Sequence, residues 1–123
     1  MEPLRILITA IALLAIAAVG GLVMAGLRFA GKDYPPSWLA MLHGALATAA
    51  LALLIYAAAT VGLPGLAIAA IVLFLLAGAG GAVLNLGYHW NRRALPKGIV
   101  VVHALVAVTG FIILIIATWS AHG

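Results

Sequence analysis

Four long apolar runs, at 5–30, 37–60, 64–90 and 98–120, are separated by short polar interruptions. Each run meets the roughly 20 apolar residues that a helix needs to cross a bilayer. Little chain is left over for a domain outside the membrane. The pattern predicts an all-α integral membrane protein, a single four-transmembrane-helix bundle over residues 1–123. The interruptions carry turn and interface signals. KDYPPSW supplies a turn with Ser37 as a helix N-cap and Tyr34 and Trp38 as interfacial aromatics. GLPG makes the second turn, NLGYHWNRR is the most polar run in the chain, and Trp119 reads as an anchor near the C-terminal end.

Sliding the chain against itself by 60 residues superposes the first run on the third and the second on the fourth without a gap. Gly20-Gly21 falls on Gly80-Gly81, Pro36 on Pro96, His43 on His103 and Leu54-Ile55 on Leu114-Ile115. Matches of Ala and Leu are cheap in such a sequence, but the glycine, proline and histidine matches share one register. Two helices return a chain to the side it started from. The units at about 5–62 and 65–122 therefore predict a parallel tandem repeat about an axis along the membrane normal.

Composition agrees with the membrane reading. Hydrophobic residues make up 67% of the chain and charged residues 7%, and the mean hydropathy is +1.34. A net charge of +4 would suggest nucleic acid as a partner in a soluble chain; here it acts as a topology signal, and no nucleic-acid partner is expected. Arg28, Lys32, Arg92, Arg93 and Lys97 lie in or beside the first and third connections, opposed only by Asp33. The expected topology puts both of these connections in the cytoplasm and both termini outside, in a bacterial inner membrane. The first run is longer than a signal-peptide core of about 7–15 residues and is expected to be retained. The chain has no cysteine, which excludes disulfides, iron–sulfur clusters, thiolate haem ligation and covalent haem attachment.

His43 and His103 each follow their proline by seven residues, inside what should be hydrocarbon. Such placement is costly unless the side chain is used. At 1.5 Å per residue both sit roughly 10 Å below the basic end, where they could face each other. Same-face spacing puts Ala47, Ala50 and Leu54 below the first histidine, and Ala107, Gly110 and Leu114 below the second. This small-residue patch predicts a slot that a planar macrocycle could enter edge-on, with the two imidazoles as fifth and sixth ligands of its iron. The other reading is polar packing, with each histidine hydrogen-bonded to a neighbouring backbone or hydroxyl, Thr48 and Thr109 being candidate partners. Zinc is disfavoured, because two histidines with no cysteine or intramembrane carboxylate leave its shell incomplete.

The arrangement resembles, at the level of pattern, the di-histidine b-type membrane cytochromes: the four-helix haem bundle of cytochrome b in bc complexes and the cytochrome b561-like proteins. The resemblance covers all four helices. It implies His43 and His103 as axial ligands of haem b, and Gly20, Gly21, Gly80 and Gly81 as porphyrin contacts. Those families commonly hold a second histidine pair, in the bc bundle 13 or 14 residues further on. Here those positions are Tyr56 and Ala57, or Ile116 and Ala117, so one six-coordinate haem is the expectation.

The function expected is electron transfer with quinol, superoxide or a partner redox subunit, as an electron-transfer protein or membrane oxidoreductase in a homo- or hetero-oligomer. The alternatives are a cofactor-free structural or assembly subunit of a larger complex and a small transporter. The small multidrug transporters that share this length depend on a membrane-embedded glutamate, and Glu2 is the only glutamate here. Tyr88-His89-Trp90 reads as an interfacial belt beside Arg92 and Arg93. The competing reading has Arg92, Arg93 or Lys97 pairing with haem propionates and His89 or Tyr88 lining a quinone or proton-exchange site. Asn85 is expected to bond across helices, and His122 to be inert.

Overall fold

The computed structural model describes residues 2–122, with side-chain surroundings described as far as residue 120. The side chain of His122 therefore lies outside the described residues. Helices α1 (Pro3–Phe29), α2 (Ser37–Thr60), α3 (Gly65–Ala82) and α4 (Lys97–His122) account for most of the chain, and no strand occurs among the described residues. A π-helical segment, Val83–His89, continues α3. All four helical stretches are long and apolar enough to cross a membrane, with mean hydropathies of 1.9 to 3.0 over their most apolar windows.

Proline and glycine set the ends of these helices. Pro3 stands in the first turn of α1, and Pro36 and Pro64 are the N-caps of α2 and α3. Pro96 immediately precedes α4 and accepts the Val100 amide. Proline suits such positions because a helix start has no partner for its N–H groups in any case. Ser37 is thus the first helical residue rather than the cap. At the other ends, Gly31 and Gly62 adopt φ of 110° and 78°, the left-handed turn that closes a helix and that glycine adopts without a Cβ clash.

Each helix packs on its chain neighbour, α1 on α2 and α3 on α4, and the two hairpins join through α1 with α4 and α2 with α3. Helices α2 and α4 are therefore diagonal. The core away from the basic end is dense: Leu7, Leu14, Leu54, Phe74 and Leu114 interlock over Ala10, Ala50, Ala67, Ala70 and Ala117. Alanines at these crossings let the backbones approach closely, the usual basis of packing where lipid removes a hydrophobic drive.

A second, smaller cluster at the basic end is built on Leu84, Leu95 and Val100. Leu95 belongs to a connection, not a helix, and is drawn inward by a strap. Its amide donates to the Asp33 carbonyl at 2.9 Å, and its own carbonyl accepts from Arg28 Nε at 2.7 Å. The two basic connections are thereby tied to each other.

The outward surface is apolar, and Trp38, Trp90 and Trp119 stand exposed at the helix ends, as interfacial anchors do.

Candidate functional site

Between the two clusters the packing loosens. Gly20, Gly21, His43, Ala47, Gly80, Gly81, His103 and Ala107 are all half-buried, whereas Ala50, Leu54, Gly110 and Leu114, one or two turns further from the basic end, are buried. The partly accessible residues lie at the level of the histidines. The slot expected beneath them is filled: a Cβ on Gly110 would lie 3.1 Å from the Phe74 ring and 3.3 Å from Leu73, and Ala50 and Leu54 belong to the dense core.

The two histidines meet across the α2–α4 diagonal, ring centroids 6.3 Å apart and planes at 72°. Each is held by its own hairpin. His43 Nδ1 donates to the Ala17 carbonyl and His103 Nδ1 to the Ala77 carbonyl, both at 2.7 Å and both across 26 residues. A carbonyl can only accept, so the proton sits on Nδ1 and the neutral ring keeps a lone pair on Nε2. The partners are backbone carbonyls rather than Thr48 or Thr109. The Thr109 hydroxyl instead donates to Leu105, and Thr48 is exposed.

The glycine pairs have a definite neighbour. A Cβ on Gly21 would fall 2.9 Å from His43 Cε1, and one on Gly81 3.2 Å from His103 Cε1, with Gly20 and Gly80 beside the same rings. These glycines let each imidazole lie flat against α1 or α3, close enough to reach the carbonyl one turn away. No group of three or more His, Cys, Asp or Glu side chains occurs among the described residues.

The remaining polar residues divide between the basic end and a groove. Arg93 lies over the Tyr88 ring at 4.9 Å and Lys97 over Phe29 at 5.5 Å, both cation–π contacts. His89 is not part of an exposed belt; it is 8% exposed and stacks on Tyr34 of the other connection, centroids 5.4 Å apart. With Tyr34, Ser37, Trp90 and Arg92 it lines a pocket of about 270 Å³. Asn85 makes no side-chain hydrogen bond among the described residues; it borders an open groove of about 520 Å³ along α2, with Ala40, Gly44, Thr48 and Ala52. Compared with family models, with curated proteins and with solved structures, the chain finds no match.

Proposed function

We propose that the protein is a membrane-embedded b-type cytochrome that binds one haem b between α2 and α4 through His43 and His103. It exchanges single electrons with quinol, superoxide or a partner redox subunit. The observation that carries this reading is the pairing of two imidazoles across the α2–α4 diagonal, each with Nδ1 engaged and Nε2 left as the lone-pair nitrogen. Each ring is fixed through Nδ1 by a backbone carbonyl 2.7 Å away, the outer-shell bond that orients ligating histidines and raises their basicity. Two imidazoles that each reach one shared metal atom at about 2.0–2.1 Å would have ring centres no more than about 6 Å apart. The observed separation is 6.3 Å.

The donor set fits this group better than a bare metal ion. Two imidazoles cannot complete a tetrahedral shell, whereas a macrocycle brings four nitrogens of its own. Bound there, haem b would supply a one-electron iron couple, with His43 and His103 holding it. Everything else falls to the chain. Ala17 and Ala77 hold the tautomers, Gly21 and Gly81 admit the rings, and the alanine- and leucine-rich core beyond them excludes water. Arg92 supplies positive charge at the nearer surface. The excess of basic residues in the first and third connections supports placing that end in the cytoplasm of a bacterial inner-membrane protein. With no second histidine pair, electrons enter and leave near one face.

The test is a spectrum. Protein purified from haem-replete cells should show the Soret band and reduced-minus-oxidised α band of six-coordinate haem b, and both should be lost in the double variant His43→Ala/His103→Ala. A colourless wild-type preparation would overturn the proposal. A spectrum that survives the double variant but disappears in His89→Ala would keep haem and refute these ligands.

A further inference from the structure

The pocket at the basic end is separate from the histidine pair and has a different chemistry. Tyr34 and Ser37 come from the first connection and the start of α2, and His89, Trp90 and Arg92 from the end of the π segment and the turn after it. Every polar side chain in this lining can donate a hydrogen bond, and none is a carboxylate. His89 in this lining is more than nine-tenths buried and has no hydrogen-bond partner among the described residues. No fully buried side-chain nitrogen among the described residues is left unpaired, so the nitrogens of His89 retain access to the pocket. A buried imidazole, a guanidinium and two hydroxyls converging on one space call for an anion.

The start of α2 adds to this field. Its N-cap is Pro36, and no side chain caps the helix. The Leu39 and Ala40 amides bond back to the Pro36 carbonyl, so the free N–H groups at this end are those of Ser37 and Trp38, which carry the positive end of the helix dipole. Arg93 and Lys97 are directed elsewhere, onto Tyr88 and Phe29, which leaves Arg92 as the cation of the pocket.

We propose that this pocket is a phosphate-binding site, and that the phosphate is presented by an anionic membrane phospholipid. The same two elements form the groove one turn deeper, where Met41 follows Ser37 by four residues and Asn85 precedes His89 by four. That groove is wide, shallow and lined by small residues. An acyl chain entering it would leave its phosphodiester at the level of Arg92 and Ser37. Basic pockets between helices at such an interface are a recurrent way of holding anionic headgroups.

The experiment uses the full chain in detergent, with phosphatidylglycerol or phosphatidylcholine added, and measures lipid retained by native mass spectrometry. The wild type should retain phosphatidylglycerol in preference to phosphatidylcholine. Arg92→Gly should lower that retention about tenfold, the loss expected of one charge-assisted hydrogen bond. Glycine is a safe replacement there, because Arg92 holds a left-handed φ of 54°. Arg93→Gln, outside the pocket, should change it little. A parallel titration with millimolar inorganic phosphate, read by tryptophan fluorescence, identifies the source. Saturable binding of free phosphate that is lost in Arg92→Gly, without lipid retention, keeps the phosphate site and replaces the lipid with a soluble ligand. Retention equal in wild type and Arg92→Gly, or lost equally in Arg93→Gln, together with no Arg92-dependent phosphate signal, overturns the proposal.

Discussion

The rings of His43 and His103 stand 6.3 Å apart, centre to centre, across the bundle, on diagonal helices that pack mainly on their own chain neighbours, and each is bonded to an alanine carbonyl of its own hairpin. The bonds fix the tautomers independently, so neither ring needs the other to be oriented. Removing one should leave the other in place. If the pair holds haem b as proposed, His43→Gly and His103→Gly are each expected to convert a six-coordinate spectrum to a five-coordinate one, with similar effects from the two sites. Imidazole added to the solution should restore the six-coordinate form, because it replaces the ligand without needing the Ala17 or Ala77 carbonyl. The visible spectrum at increasing imidazole checks this. A purely structural histidine would give no such rescue.

The glycines beside the rings differ in how much room they leave. At Gly21 a methyl would meet His43 Cε1 at 2.9 Å, closer than real Cβ contacts; at Gly81 the equivalent distance is 3.2 Å, and at Gly26 nothing lies within 4 Å. Overpacking of this kind costs about 1–3 kcal/mol. Gly21→Ala should therefore lower the unfolding temperature in detergent and weaken the histidine site. Gly81→Ala should do so less, and Gly26→Ala should be neutral or slightly stabilising, since alanine is the better helix former. Thermal unfolding of the three variants side by side tests the order.

Arg28 ties the ends together through one bond, Nε to the Leu95 carbonyl at 2.7 Å. A hydrogen bond from a charged group is worth about 1.5–3 kcal/mol, and its loss here would also free Leu95 from the small cluster with Leu84 and Val100. Arg28→Ala should lower stability by an amount in that range. Arg28→Lys should recover only part of it, because an ammonium lacks the in-plane Nε donor. Proteolysis of the connection after Trp90 in the variants provides the readout.

The four spans and the histidine pair could be read from the sequence because each leaves a signature there: twenty-residue apolar runs in one case, a polar residue recurring at one register in the other. The partners of the histidines could not. Ala17 and Ala77 bond through carbonyls that every residue carries, so the sequence allows a backbone partner without placing it. Small residues below the histidines predicted room, but same-face spacing on one helix says nothing of the opposing one. Phe74 and Leu73 close the space at Gly110. His89 read as part of a belt because its neighbours Tyr88 and Trp90 are aromatic. Its burial comes from Tyr34, some fifty-five positions earlier, a contact that no local pattern encodes.

The gapless 60-residue register also conceals an extra residue. At the histidines the offset is 60, since Ala17 and Gly21 correspond to Ala77 and Gly81 in their contacts. At the helix ends it is 61: Lys32 bonds back to Leu27 and Arg93 to Tyr88, and the left-handed residues are Gly31 and Arg92. By Pro36 and Pro96 it is 60 again. The second hairpin therefore has one residue more between Gly81 and Arg92 than the first has between Gly21 and Gly31, and one fewer between Arg92 and Pro96 than the first has between Gly31 and Pro36. The π segment Val83–His89 spans the first interval, and the Trp90 amide after it reaches back five residues to Asn85, whereas α1 stays α-helical through Phe29, the position 61 residues earlier. A π-bulge is how a helix absorbs one added residue without rotating the turns beyond it. Deleting Gly87 should then let the segment relax to α-helix and leave the fold, the Leu95 strap and the histidine site intact. Deleting Gly26 from α1 has no bulge to consume, and should turn Arg28 by about 100° away from Leu95. Comparable unfolding temperatures for the two deletions would sink this account of the π segment; a large drop for the Gly26 deletion alone is the expected result.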